Sequence, residues 1–457
     1  MDNIERIYCK SRNPILPSNY LISDVEGHQM QDGRLYLYGD VGNPEIDDTY
    51  ESYVLKVVST SDMKKWVIHN SCLCSEQIPW VQEAGDSKWI FSEAGEVDTP
   101  MLRKLNAGYR ETNAKGKKGR MASSFIYAPD AAEYEGKYYL YFPCSDSSEG
   151  VAVSEEPQGP FHDVRRMNCK GIDPAVFVDD DGQAYYYWGQ FRGCGAKLKR
   201  NMTEIDRSTM TIDLVTEEEH HFHEGMSIRK RGNYYYCIYA DITSTDPTSL
   251  GYAMSKSPLG PYEYKGVIID NKECDPDTWN NHGSIVEFKG SWYVFYHRTV
   301  RGNKFFRRVC AEPIEFREDG TIIPVIMTSQ GLGEPFRPGE DIEMTYACGL
   351  LGTCYLEPED PINGEHDVLK NISCGDTAIF RYVDFSSGVS SVKVSGNSTG
   401  TIRLYLGEER NLLLAELTIH GGEDAFSLIE AENKTGTLLV EVLDCDSKFQ
   451  IKKIRFE

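Results

Sequence analysis

Five polar residues stand at matching places in a repeated hairpin: Asp24, Asp130, Asp173, Glu224 and His282. Each lies six to nine residues before a glycine that turns one strand into the next, namely Gly33, Gly136, Gly182, Gly232 and Gly290. An aromatic or β-branched run follows every one of these glycines, as in Lys137-Tyr-Tyr-Leu-Tyr-Phe142, which is a β-hairpin signal. Two carboxyl groups facing one pocket can cleave a glycosidic bond. One, protonated, donates to the leaving oxygen; the other, ionised, activates water or attacks carbon. A third acid nearby raises the proton affinity of the donor through like-charge repulsion. One such carboxylate alone reads as a hairpin cap or half of an ion pair, but five at equivalent repeat positions read as a converging site.

Those roles need the acids on separate rigid strands. The turn glycines are spaced 103, 46, 50 and 58 residues apart, a period that points to propeller blades or another repeat array. In a propeller one strand of every blade lines the central channel, so the five polar residues would gather around one axis. The long first interval contains the basic run Lys115-Gly-Lys-Lys-Gly-Arg120, read as a surface loop inserted between blades. Around Gly331-Leu-Gly-Glu-Pro-Phe-Arg-Pro-Gly339 the texture changes to a Gly/Pro-rich linker. Beyond it, alternating runs such as Ala378–Asp384 and Thr401–Leu406, with no helical period, suggest a β-sandwich. The expected architecture is all-β: a five-bladed β-propeller over residues 1–330, then a jelly-roll-like β-sandwich over residues 340–457.

A net charge of −23 argues against nucleic acid or an anionic membrane surface as partner. No run of 18 apolar residues offers a spanning helix, and the first ten residues lack the apolar core of a secretory signal. Thirteen cysteines, an odd number with no CxxC pair, read as scattered reduced thiols. Together these features place the chain in the cytoplasm; nothing in them fixes an oligomeric state.

Several stretches resemble glycoside hydrolase family 43: Leu21 to Gly39 with its Asp, Tyr127-Ala-Pro-Asp130, Ile172-Asp-Pro-Ala-Val-Phe-Val, His223-Glu224-Gly and Asn280-Asn-His282-Gly-Ser-Ile-Val-Glu-Phe. The resemblance spans roughly residues 10 to 325, and it implies a five-bladed propeller that inverts the anomeric centre. It matches Asp24 to the general base, Glu224 to the general acid and Asp130 to the residue that tunes and positions that acid. His282 matches a channel histidine that binds calcium or another ion; the chemistry itself requires no cofactor. Arg298 matches an arginine that contacts the sugar. Phe125, Tyr127, Trp188 and Trp279 are the candidate ring-stacking surfaces, and Asp173 is assigned a structural or ion-linked place on the channel wall. The tail, with Phe380-Arg-Tyr-Val-Asp-Phe385, is similar to a family 6 carbohydrate-binding module, although it has no tryptophan. Val25 stands where the family often has proline, and Tyr127 where it often has tryptophan, so both departures bear on which sugar fits.

The resemblance implies an exo-acting glycosidase for small oligosaccharides. An α-L-arabinofuranosidase ranks first, a β-xylosidase second and a galactan-directed β-galactosidase third. A non-catalytic carbohydrate-binding propeller is the rival from another class.

Overall fold

The structure, a computed structural model, describes residues 6–80, 125–428 and 434–457, apart from 46, 48, 49, 51, 71, 146, 361–363 and 365. The basic run 115–120 lies outside the described residues. The turn glycines all take positive φ, from 58° at Gly232 to 83° at Gly290, which a side chain would strain. Each therefore folds its flanking runs back on one another, and five antiparallel sheets result.

The first blade runs outward from Ile22–Gln29 through Leu35–Val41, Val54–Thr60 and Lys65–Ile68, with Arg6–Cys9 outermost. The second comprises Asp130–Tyr134, Lys137–Pro143, Ser148–Ser154 and His162–Lys170. The third is Ala175–Val178, Ala184–Trp188 and Cys194–Lys197. The fourth is Phe222–Arg231, Tyr234–Asp241, Ser249–Ser255 and Glu263–Asp270. The fifth is Ser284–Phe288, Ser291–Val300 and Asn303–Ile314. Among the described residues helix is confined to one turn, Glu217–His220, and short 3-10 segments.

The aromatic strands are buried on both faces because each blade packs on its neighbours. Tyr141 of blade two, for example, meets Tyr186 and Trp188 of blade three in one core. The ring closes between the first and last blades. Buried Asn13 donates to the carbonyls of Ala311 and Thr328 and accepts from the Ala311 N–H at 2.8 Å.

After blade five a second β unit begins at Asp341. Its sixteen-residue strand Ser391–Leu406 pairs with Ile451–Phe456 along its first half and with Thr435–Cys445 along its second. The strand thus passes from one layer to the other and folds a nine-stranded sheet around an apolar core, giving a sandwich-like unit. This unit shares a core with the propeller, where Cys348, Ile379 and Leu439 pack with Leu250, Ile285 and Tyr296.

Candidate active site

The innermost strands of the five blades, Ile22–Gln29, Asp130–Tyr134, Ala175–Val178, Phe222–Arg231 and Ser284–Phe288, pack side by side and close on themselves around the channel. Their hairpin registers decide the height of each side chain. Glu26 pairs with Tyr38, Asp130 with Tyr141, Ala175 with Tyr187 and Ser284 with Phe295. Those four partners are each the fifth residue after their turn glycine. Asp130 therefore shares a level with Glu26 and Ser284. Glu224 pairs further from the turn, with Ala240, and Asp24 follows Ser23, which pairs with Asp40. Asp173 and His282 precede their strands altogether. Asp24, Asp173, Glu224 and His282 consequently form one rim, and Asp130 sits a layer below it.

The lower layer is a bonded charge network. Asp130 is fully buried; its Oδ1 accepts from the Ala131 N–H at 2.7 Å and meets His28 Nε2 at 2.6 Å, while its Oδ2 accepts from the Val176 N–H at 2.7 Å. Arg229 Nη2 donates to Glu26 Oε2 at 2.6 Å, and Ser227 donates to the same oxygen at 2.9 Å. Glu26, His28 and Asp130 offer ligand atoms within 4.8 Å of one another, which is the grouping among the described residues that could hold a metal ion. His28 rather than His282 belongs to it. The set is a poor fit for calcium, which takes six to eight oxygens, and the Arg229 guanidinium already supplies the positive charge.

On the rim, Asp24 takes positive φ (51°) and is buried. Its Oδ1 accepts from Arg307 Nη1 at 2.6 Å, with His297 Nδ1 at 3.3 Å and His282 Nδ1 at 3.7 Å. Burial alone would raise its pKa. The Arg307 charge and the two imidazoles outweigh that penalty and hold Asp24 below the usual carboxylate range. Asp40, behind it, is pushed up to about 7 by burial and by the Asp24 charge. Asp173 is raised well above the ordinary carboxylate value, first by burial and then by the charges of Glu224 and Asp24. Glu224 accepts from two buried amides, Gln190 Nε2 on Oε2 and Asn280 Nδ2 on Oε1. Gly225 beside it has φ +71°, and an added Cβ would sit 2.8 Å from the His282 ring, so glycine is required there twice over. The rim therefore combines a carboxylate paired with Arg307, a buried carboxyl whose proton affinity is raised, and a third carboxyl cradled by amides.

The remaining expected site residues divide. Trp279 and Tyr127 are half-buried near the rim, the former with Lys304 Nζ 4.8 Å above its ring. Phe125 is buried edge-on to Tyr53 at 5.2 Å. Trp188 is corrected: it has no exposed surface and packs under Tyr186 in the core between blades, so no sugar ring can stack on it. Arg298 is corrected too. It donates to the carbonyls of Ala347 and Thr345 in the C-terminal unit and not into the channel.

Strand alternation explains the exchange of arginines. Arg298 pairs with Arg308 across the hairpin, so both point to one face, and Arg308 meets Asp367 there. Arg307, one residue away, points to the opposite face and reaches Asp24. Sequence reasoning missed Arg307, and with it Tyr50, whose ring lies 4.7 Å from the Arg307 guanidinium. It also missed Gln190 and Asn280. The height of Asp130 did leave a trace in spacing, since Asp130 precedes its turn glycine by six residues where Asp24 and Asp173 precede theirs by nine.

Comparison with known proteins bears on the family and the fold. A family model described as glycosyl hydrolases family 43 matches residues 102–322. A xylosidase/arabinosidase of Thermoclostridium stercorarium is 29% identical, over 84% of this chain and 84% of its own length. Xylosidase/arabinosidase 43A of Humicola insolens is 32% identical, over 44% of this chain and 75% of its own. Among solved structures, a family 43 β-xylosidase/α-arabinofuranosidase from a compost microbial metagenome, crystallised with xylotriose in a calcium-free form, superposes with a TM-score of 0.54. That match is 25% identical and covers 70% of this chain and 99% of the other.

Proposed function

The chain belongs to glycosyl hydrolases family 43, and we propose that it is an inverting, exo-acting glycosidase that releases terminal α-L-arabinofuranose from arabinoxylan- or arabinan-derived oligosaccharides. Its relatives named xylosidase/arabinosidase support a substrate of the xylan and arabinoxylan class. The observation that carries the mechanism is the contrast between Asp24, whose Oδ1 accepts from the Arg307 guanidinium at 2.6 Å, and Glu224, which is held between the neutral amides of Gln190 and Asn280. Asp24 is the general base, which takes a proton from water as the water oxygen bonds to the anomeric carbon. Glu224 is the general acid, which gives its proton to the leaving oxygen as the C–O bond breaks. The tuning role moves from Asp130 to Asp173, because Asp173 shares the rim with Glu224 and Asp130 is bonded into the layer beneath. Arg307 and Tyr50 line the base side of the pocket, and Trp279 supplies a stacking face beside Asn280.

The sugar ranking rests on the Asn280-Asn-His282-Gly-Ser-Ile-Val-Glu-Phe motif. A β-xylosidase is the second reading, favoured by the double activity in the relatives' names. The C-terminal unit is assigned the part of a carbohydrate-binding-module-like partner that also buttresses blade five. All thirteen cysteines are free thiols, which suits a cytoplasmic enzyme fed by imported oligosaccharides. Hydrolysis of 4-nitrophenyl α-L-arabinofuranoside and β-D-xylopyranoside, with NMR of the first-formed anomer, tests the reading. A higher kcat/KM on the arabinoside with inversion is expected. Faster xyloside cleavage makes the second reading correct, and ligand binding without turnover makes the propeller a lectin.

A further inference from the structure

Glu224 is gripped by two side-chain amides, each of which has a spare end. Asn280 Nδ2 donates to one carboxylate oxygen and Gln190 Nε2 to the other. Asn280 Oδ1 and Gln190 Oε1 are both buried without a hydrogen-bond partner among the described residues. A buried acceptor left unpaired costs about 1–3 kcal/mol in general, so two beside one carboxyl call for a reason. Asn280 is also fixed from behind. Its backbone carbonyl accepts from Asn271 Nδ2 at 3.0 Å and faces His297 Nε2 at 3.3 Å, and its φ is +60°. Only the side-chain torsions are left to move. His223 Nε2, on the same strand, lies 3.9 Å from Glu224 Oε2.

A general acid passes through two states with opposite hydrogen-bonding needs. As a carboxylate it accepts at both oxygens; as a carboxylic acid it must also donate one O–H. Two N–H donors suit only the first state. An amide carries a donor and an acceptor at the two ends of one plane, and a half-turn exchanges them. Here that half-turn breaks no other bond, because the oxygen that would swing in has no partner to lose.

We infer that Asn280 and Gln190 are positioning residues that hold Glu224 in both of its working states, with at least one amide turning its carbonyl toward the carboxyl when the proton is present. The inference rests on the reading of Glu224 as the acid. In the step, the Glu224 proton moves to the leaving oxygen, which takes the electron pair of the broken C–O bond. Water bonds to the anomeric carbon and loses its proton to Asp24. Glu224, now a carboxylate, meets the N–H of the returning amide. A donor-only or acceptor-only side chain at either position serves one state and fails the other.

The test compares two substrates carrying the enzyme's preferred sugar: a natural oligosaccharide, whose leaving oxygen needs a proton, and the 2,4-dinitrophenyl glycoside, whose leaving group does not. Glu224→Ala should abolish turnover of the first and spare the second. Asn280→Ala and Gln190→Ala should each lower kcat on the oligosaccharide about tenfold or more while staying within about twofold of wild type on the aryl glycoside. The shape-preserving Asn280→Asp and Gln190→Glu should show the same selectivity with an unchanged melting temperature, which keeps the test open if an alanine variant folds poorly. Amide variants that slow both substrates alike, or neither, while Glu224→Ala remains selective, overturn this inference alone. A Glu224→Ala enzyme that loses both substrates equally overturns the acid assignment and the inference with it.

Discussion

Arg307, on the last strand of the fifth blade, donates from Nη1 to Oδ1 of Asp24, on the innermost strand of the first, over 2.6 Å. One contact therefore joins the two ends of the propeller and sets the charge of the proposed base. The pair is almost wholly buried, with side-chain exposures of 6% and 8%, so solvent screens it little. The fold's closure and the electrostatics of its site depend on the same guanidinium.

Arg307→Met should leave Asp24 to its desolvation penalty. Because the base must be ionised, the acidic limb of the kcat/KM profile should move to higher pH, and turnover near neutrality should fall about a hundredfold or more. Asp24 has a depressed folded pKa, so its stabilising contribution is present above the ordinary carboxylate range and lost as pH falls through the folded value. In the variant that contribution should be gone at neutral pH. Breaking a buried pair from one side costs about 3–5 kcal/mol, which urea unfolding at pH 7 would register. An unmoved acidic limb would detach Arg307 from the base.

Asp173→Asn and Asp130→Asn should separate the two candidate tuning residues. Asparagine copies the shape of Asp173, so the fold should hold while the pH profile of kcat/KM changes, because the carboxyl electrostatically linked to Glu224 is gone. At Asp130 both oxygens accept, from two backbone N–H groups and a histidine. An amide there turns a donor against a donor and should cost about 1–3 kcal/mol in stability with little change in the profile. Melting curves and rate profiles of the two variants check both halves. A shifted profile for Asp130→Asn with an unmoved one for Asp173→Asn would return the role to Asp130.

The propeller was legible because its signal is repeated: five glycine turns, each ahead of an aromatic strand, name five hairpins that only a ring can bury. Asp24, Asp173, Glu224 and His282 stand out in the sequence for the same reason, at matching places in that repeat. Asp130 was grouped with them around one axis because it holds the matching place in the repeat, whereas its height is set by its pairing with Tyr141, which a shift of three residues in spacing records only faintly. Arg298 and Arg307 could not be told apart from composition. Each sits on a strand of blade five, and side-chain alternation decides which of the two reaches the channel. Trp188 illustrates the same ambiguity, since an aromatic residue beside a predicted channel fits a core between blades equally well. Gln190 carries no motif, and only the folded position of the turn after Trp188 brings its amide to Glu224.

His297 offers a stability test through pH. It is fully buried and held neutral, its pKa lowered to about 4 by burial and then by the Arg307 charge, against the opposing pull of Asp24. The unfolded chain takes up a proton near the ordinary value of 6.5. Between 6.5 and about 4 the unfolded state therefore binds more protons, and stability should fall as pH is lowered through that window. His297→Gln should flatten the slope of melting temperature against pH between these limits. A slope as steep as that of the wild type would show that other groups produce it.

The junction between propeller and sandwich makes the last test. Arg308 on blade five donates to both oxygens of Asp367, and both side chains are buried. Ser18 from the N-terminal lead-in adds a bond to Asp367 Oδ2 at 3.0 Å, so three separate parts of the chain meet at one carboxylate. Cys348, Ile379 and Leu439 of the second unit also share an apolar core with blades four and five. Two units joined in this way should unfold together, and calorimetry of the full chain should give one transition. Asp367→Ala strands the Arg308 charge in the interior and should cost about 3–5 kcal/mol. Replacing both partners by apolar residues, as in Arg308→Met with Asp367→Leu, should recover much of that loss, because the uncompensated charge is what destabilises. Two resolved transitions in the wild type, or a single variant as stable as the parent, would mean that the sandwich rides on the propeller without bracing it.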